Sequence, residues 1–183
     1  KNLVALLAAY EEARRREPRT RLVLVGDGPA RREVQARCPD AIIAGVRHGE
    51  DLAAHYASGD VFVFPRLTET YGNVTVEAMG SGLAVIAYDY AAAAEHIRHG
   101  QNGLLAAVGN TAIFAAIAGD LVTDLSRIRA LGVQARISAL TQDWGRVAQQ
   151  LESVLDAASW TDAARFRADV GVRRPRAPVP QRT

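Results

Sequence analysis

Five short apolar runs, each closed by a glycine, a proline or a polar turn, constrain this chain more than any other feature. They are RLVLVG (Arg21–Gly26), AIIAG (Ala41–Gly45), DVFVFP (Asp60–Pro65), LAVIAY (Leu83–Tyr88) and LLAAV (Leu104–Val108). Runs this short, with little polar alternation, read as strands covered on both faces. Between them lie stretches of helical character: 3–16 with Leu3, Leu6, Leu7 and Tyr10 at helical spacing, then 27–38, 49–59, 73–82 and 91–103. Pro29 falls in the expected first turn of the second of these, and Gly80 or Gly82 suits the C-cap of the fourth. After the fifth strand only helices are expected, over about 110–119, 122–138 and 143–158, the last with Trp144, Val147, Leu151, Val154 and Leu155 on one stripe. Strands alternating with helices predict an α/β domain: a doubly wound, parallel, Rossmann-like sheet with helices on both faces. Such sheets bind ligands at the carboxyl ends of their strands. The first element is a helix, whereas folds of this kind open on a strand, so a first strand and a preceding domain are expected upstream of Lys1.

Composition narrows the class. Hydrophobic residues make up 49% and charged residues 23% of the 183, which is a globular profile. No apolar run approaches the length of a membrane span, and the lone Cys38 excludes an internal disulfide framework and suits a reducing, cytoplasmic compartment. The net charge of +2 does not indicate a nucleic-acid binder. Residues 161–183 hold six Arg and two Asp, a local +4 that leaves −2 on residues 1–160. Residues 1–160 thus form the expected domain, and RRPRAPVPQRT closes an Arg- and Pro-rich tail that cannot bury a core. Contact with an acidic membrane inner face is the tail's alternative to simple solvation.

Three loops line the expected ligand edge. GDGPA (Gly26–Ala30) is a tight strand-to-helix turn with backbone donors for an anion. It is not the dinucleotide fingerprint, because Arg31 stands where that pattern needs small residues. GVRHGED (Gly45–Asp51) is placed to border a flat ring, with His48 read as a surface histidine. The third loop, ETYGNVTVEAMGSG (Glu69–Gly82), carries two carboxylates that a Gly72-Asn73 break keeps off a common helix face. With Asn73 as N-cap, Val74, Thr75 and Val76 offer free N–H groups at the positive end of a helix, a phosphate seat that Gly72 lets a ligand approach closely. Glu77, an acceptor-only side chain just beyond, suits a vicinal diol such as ribose. Glu69, before the turn, suits the hydroxyls of a second polyol. Polyol, diphosphate and ribose in line describe a nucleotide sugar.

FPRLTETYGNVTVEAMGSGLAVIAYD, with VGDGPAR before it and EHIRHGQNGLL after it, resembles the C-terminal domain of family-4 retaining glycosyltransferases of the GT-B fold, over about residues 1–158. The resemblance implies a two-domain enzyme whose C-terminal half binds the donor and whose N-terminal half binds a glycan or lipid acceptor. It implies that Glu69 holds the transferred sugar. Tyr71, Gly72, Asn73 and Val74 would supply backbone donors, and Glu77 would hold the ribose of a GDP- or UDP-linked sugar. Val46 and Arg47 would border the base. Lys1, the chain's only lysine, would neutralise the departing diphosphate. No cofactor or metal is expected: there is no Asp-x-Asp motif and the four His are scattered. The chain departs from the family pattern at Arg66, where Ser is common, and at Ala91–Ala94, where Gly-Gly is common. Paired carboxylates also equip glycosidases, but a hydrolase needs no phosphate seat. A non-catalytic nucleotide-sugar-binding module is the remaining alternative.

Overall fold

A computed structural model describes residues 2–66 and 73–141, which all fall within one compact unit. The helix expected over 143–158 and the tail from 161 lie outside the described residues.

The elements run α1 (Leu3–Arg16), β1 (Val23–Val25), α2 (Arg31–Arg37), β2 (Ile42–Gly45), α3 (Gly49–Ala57), β3 (Val61–Phe64), α4 (Asn73–Gly80), β4 (Ala84–Tyr88), α5 (Ala91–His96), β5 (Leu104–Ala106), α6 (Thr111–Leu121) and α7 (Leu125–Leu140). All five expected strands form and every pairing is parallel. They form two sheets rather than one, β1-β2 and β3-β4-β5. Among the described residues, no strand joins β1 to β3.

The three-stranded sheet is sandwiched. Every residue of β4 is buried, and its side chains alternate between two cores. Ala84, Ile86 and Tyr88 meet α1 and α6 through Ala5, Ala9, Phe114, Ala118 and Leu121. Val85 and Ala87 meet α4 and α5 through Ala78, Met79 and Ala93. That is the double winding predicted from the unbroken apolar runs. Helix α7 contributes Ile128 and Leu131 to the first core and Ala135 to the second. It crosses from one face to the other beneath the amino end of β4, where Gly132 lies against Gly82 and Ala84.

Helix α1 spans the seam between the two sheets. Ala5 and Ala9 enter the core of the larger sheet, while Leu7 and Tyr10 pack with Leu22, Cys38 and Ala41 beside the smaller one. The smaller sheet is less covered, with Val23, Val25 and Ile42 about half exposed.

Two local expectations shift. Helix α2 begins at Arg31, with Ala30 as its N-cap residue, so Pro29 lies before the helix instead of inside its first turn. The Gly28 carbonyl is taken by the Arg31 N–H at 3.1 Å, a tight turn ahead of the helix. Asn73 lies within helix α4 rather than capping it. Its far end matches expectation. The Leu83 N–H donates to the Ala78 carbonyl at 3.2 Å and the Gly82 N–H to the Met79 carbonyl at 2.9 Å. This is a Schellman closure, with Gly82 at φ +81° in the left-handed position that favours glycine.

Candidate functional site

The carboxyl ends of β3 and β4 meet the first turn of α4 and the start of α5. There a narrow cleft is lined by Phe64, Arg66, Thr75, Tyr88, Tyr90 and Ala93. Asn73 and Glu77 are exposed on the first two turns of α4, and Thr75 is buried between them in sequence. The Thr75 hydroxyl and the Tyr88 hydroxyl are buried with no hydrogen-bond partner among the described residues. Neither side chain was singled out by sequence, because a threonine inside an apolar helix and a tyrosine ending an apolar strand both read as packing residues.

Glu77 is held by a residue that no motif marked. The Tyr56 hydroxyl, at the end of α3, donates to Glu77 Oε2 at 3.1 Å. The Tyr56 ring is tilted against Phe62, with centroids 5.9 Å apart, and Phe62 stacks on Phe64 at 5.5 Å. Phe62 and Phe64 lie two residues apart on β3 and so on one face of it. Arg66 completes the row, its guanidinium 5.9 Å from the Phe64 ring centre, a cation–π contact. Burial of the Tyr56 phenol, then the charge and hydrogen bond of Glu77, push it up to about 12. At neutral pH it is therefore a donor.

The loop expected to border the base, Val46–Arg47, leaves the smaller sheet. The Gly26 N–H donates to the Gly45 carbonyl at 2.7 Å, which ties the two strand ends together. Gly45, at φ +76°, sits at a break in the β1–β2 register. Val46 is 58% exposed beyond it, and Arg47 pairs with Asp51 of α3 at 3.1 Å. His48 is exposed at the N-cap of α3, without a capping hydrogen bond from its side chain, which agrees with its reading as a surface histidine. Ala91 opens α5 at φ +47°. An alanine adopts that backbone only under strain.

Of the expected site residues, the structure brings Asn73, Val74 and Glu77 to one helix start, and Val46 and Arg47 to a separate loop of the smaller sheet. Glu69, Tyr71, Gly72 and Lys1 lie outside the described residues. Asn2, next to Lys1, caps α1 by accepting from the Ala5 N–H at 3.3 Å. Since α1 leads into β1, that amino end lies on the side of β1's carboxyl end.

A second, broader cleft lies between the carboxyl ends of α1 and α2 and includes Tyr10, Glu11, Arg14, Arg37, Cys38 and Asp40. It sits on the side of the strands' amino ends, away from the loops. Its arginines are engaged: Arg14 pairs with Asp40, and Arg37 with Glu11 at 2.9 Å. Burial pushes the Cys38 thiol up, away from the reactive thiolate.

A parallel α/β domain with a carboxylate on the first turns of a helix at its ligand edge has the architecture of the C-terminal half of a GT-B glycosyltransferase. TarM of S. aureus, solved with UDP, has that fold in common with this chain at a TM-score of 0.73 and 18% identity, over 85% of this chain and 32% of its own. The C-terminal domain of LpcC, a glycosyl transferase group 1 family protein from Francisella tularensis, matches at a TM-score of 0.68 and 21% identity, over 78% of this chain and 79% of its own. Residues 1–124 match the family model described as glycosyl transferases group 1, and the chain belongs to that family. A GDP-mannose-dependent alpha-mannosyltransferase of Mycobacterium tuberculosis is 40% identical over 132 residues, which is 72% of this chain and 34% of that protein. The chain spans about a third of the length of the curated relatives it matches. No helix among the described residues is long and apolar enough to cross a membrane.

Proposed function

We propose that this chain is the donor-binding half of a glycosyltransferase that moves a sugar from a nucleoside diphosphate to a glycan or lipid acceptor, with retention at the anomeric carbon. The observation that carries this reading is Glu77: an exposed carboxylate at the start of α4, beside the strands' carboxyl ends, with one oxygen already held by Tyr56. The first turn of a helix has N–H groups without intrahelical acceptors and carries the positive end of the helix dipole, so the start of α4 suits a diphosphate.

In this reading Glu77 takes the ribose diol, and Asn73 and Val74, with Tyr71 and Gly72, take phosphate and sugar through backbone N–H groups. Glu69 takes the hydroxyls of the transferred sugar, and Val46 and Arg47 border the base. Lys1 and the helix start meet the charge that grows on the departing diphosphate. The acceptor, entering on the same face, is the group that retention requires there. The names of the relatives favour GDP-mannose as donor. Among the described residues β1 and β3 each lie at a sheet edge, which suits one further parallel strand, and the acceptor site belongs to the part of the relatives that this chain does not span.

Calorimetry of the intact natural protein against GDP, UDP and ADP, each with its sugar, tests the donor. Glu77→Ala should weaken nucleotide binding, whereas Glu69→Ala should abolish transfer and leave nucleotide binding in place. Unchanged transfer by Glu69→Ala refutes its role.

A further inference from the structure

A carboxylate that grips a diol must present two acceptor positions in one orientation. Glu77 is exposed, and an exposed glutamate samples several rotamers whose loss on binding opposes affinity. Here one of its oxygens is already committed. Tyr56 donates to Oε2 at 3.1 Å, and the tyrosine cannot swing freely, because its ring rests against Phe62, which is stacked on Phe64. The aromatic row on β3 fixes Tyr56, and Tyr56 fixes the carboxylate. A carboxylate has about four lone-pair positions, so one bond to the phenol leaves Oε1 and the second lone pair of Oε2 for two incoming hydroxyl donors.

We infer that Tyr56 is a positioning residue, which holds the Glu77 carboxylate in the orientation that receives a ribose diol and so sets preference for ribonucleoside over deoxyribonucleoside diphosphates. The inference rests on the reading of Glu77 as the ribose partner. It adds a residue from α3, 21 positions upstream of Glu77, to a site otherwise built from strand-to-helix loops. The phenol remains protonated over the neutral range, so the donated hydrogen bond does not depend on pH there.

The test is a comparison of GDP and UDP with their 2′,3′-dideoxy forms, with dissociation constants measured on the intact natural protein, Tyr56→Phe and Glu77→Ala. Phenylalanine keeps the ring against Phe62 and removes only the hydroxyl, and thermal denaturation of each variant reports any general loss of structure. The parent should prefer a ribonucleotide to its dideoxy form by about tenfold or more, since two hydrogen bonds to a charged group are at stake. Tyr56→Phe should lose about 3- to 10-fold in affinity for the ribonucleotide and nothing for the dideoxy form. Equal losses on both ligands would mean that Tyr56 acts only as scaffold, and undiminished ribose preference in Tyr56→Phe would mean that it does not act through Glu77. Either overturns the inference while leaving the Glu77 reading intact. A parent protein that binds both forms equally, or binds neither GDP nor UDP, overturns the Glu77 reading and the inference with it.

Discussion

Gly132→Ala separates helix propensity from packing in this fold. Propensity alone favours the change, because alanine in a helix interior is better than glycine by about 1 kcal/mol. The structure predicts the opposite sign. A Cβ at Gly132 would sit 2.2 Å from the Gly82 carbonyl oxygen and 3.1 Å from its carbon. Both are backbone atoms, and Gly82 is locked in the left-handed turn that closes α4, so no rotamer change relieves the contact. An ordinary carbon–oxygen approach is about 3.3 Å or more, so α7 must retreat by about 1 Å. Ile128, Leu131 and Ala135 are buried on that face, and their burial together is worth about 4–7 kcal/mol. A gap of that size forfeits a quarter to a half of such contacts, about 1–3.5 kcal/mol, and distortion of the Gly82 turn adds about 1 kcal/mol. After the propensity gain, the variant should be about 2 kcal/mol less stable, a fall of about 4–8 °C in Tm. Urea and thermal unfolding followed by far-UV circular dichroism read this directly. Gly80→Ala is the control: among the described residues its Cβ would meet only the Ala139 Cβ, at 3.9 Å, so the change should not destabilise the protein. Because Gly132 lies at the amino end of β4, opposite the loops, nucleotide affinity of the folded variant should be unchanged. A Gly132→Ala protein as stable as its parent would refute the close approach of α7 to the α4–β4 turn.

Asn102 is 5% exposed. Its Oδ1 accepts from the Arg98 N–H at 2.7 Å, and its Nδ2 donates to the His96 carbonyl at 3.1 Å and to Ser138 Oγ at 2.9 Å. Asn102→Ala should therefore cost about 2–3 kcal/mol in urea unfolding, at about 1 kcal/mol per bond, and a cost below about 1 kcal/mol would count against that network. Ala91→Gly should raise stability by about 0.5–1 kcal/mol, because glycine removes the left-handed penalty and returns part of it as chain entropy; a lower Tm would contradict the strained backbone at that position. Arg15 and Arg16 hold Glu12, and Arg19 holds Glu17, at about 2 against an ordinary 4.5. A carboxyl depressed on folding contributes stability above its unfolded value and loses it as pH falls through the folded one. The urea midpoint should thus decline between about pH 4.5 and 2, less steeply in Glu12→Gln and in high salt. A flat profile across that window would deny these pairs a role in stability.

The strands were legible because burial on both faces leaves a sequence little freedom: β4 is apolar at every position and buried at every position. Helix starts were less so. Pro29 fits either the first turn of a helix or the turn before it, and the Gly28–Arg31 hydrogen bond decides for the latter. Glu77 could be read from its offset to Gly72, since a helix start converts sequence distance into a place in space. Tyr56 could not. Its link to Glu77 depends on α3 lying beside α4, a juxtaposition created by β3 folding between them, and a tyrosine before an apolar strand reads as one more packing residue.

The division of the strands bears on the site itself. Glu77 and the cleft beside it hang on β3-β4-β5, while Val46 and Arg47 leave the end of β2, in the other sheet. A nucleotide that reaches from one to the other spans a seam crossed by no hydrogen-bonded strand among the described residues. Two things bridge it. One is α1, with Ala5 and Ala9 in one core and Leu7 and Tyr10 in the other. The other is α3, which follows the Val46–Arg47 loop, receives the Arg47–Asp51 ion pair and ends at Tyr56 against Phe62 of β3. Surface ion pairs such as Arg47–Asp51 contribute little to stability, and none of the residues of α3 is buried. Its position therefore depends on the Tyr56 end, where ring packing and the Glu77 hydrogen bond coincide. The Val46–Arg47 loop and Glu77 are then joined through one short helix, and it is the Tyr56 ring against Phe62, which Tyr56→Phe keeps, that holds the helix in place, while the hydroxyl acts on Glu77 alone.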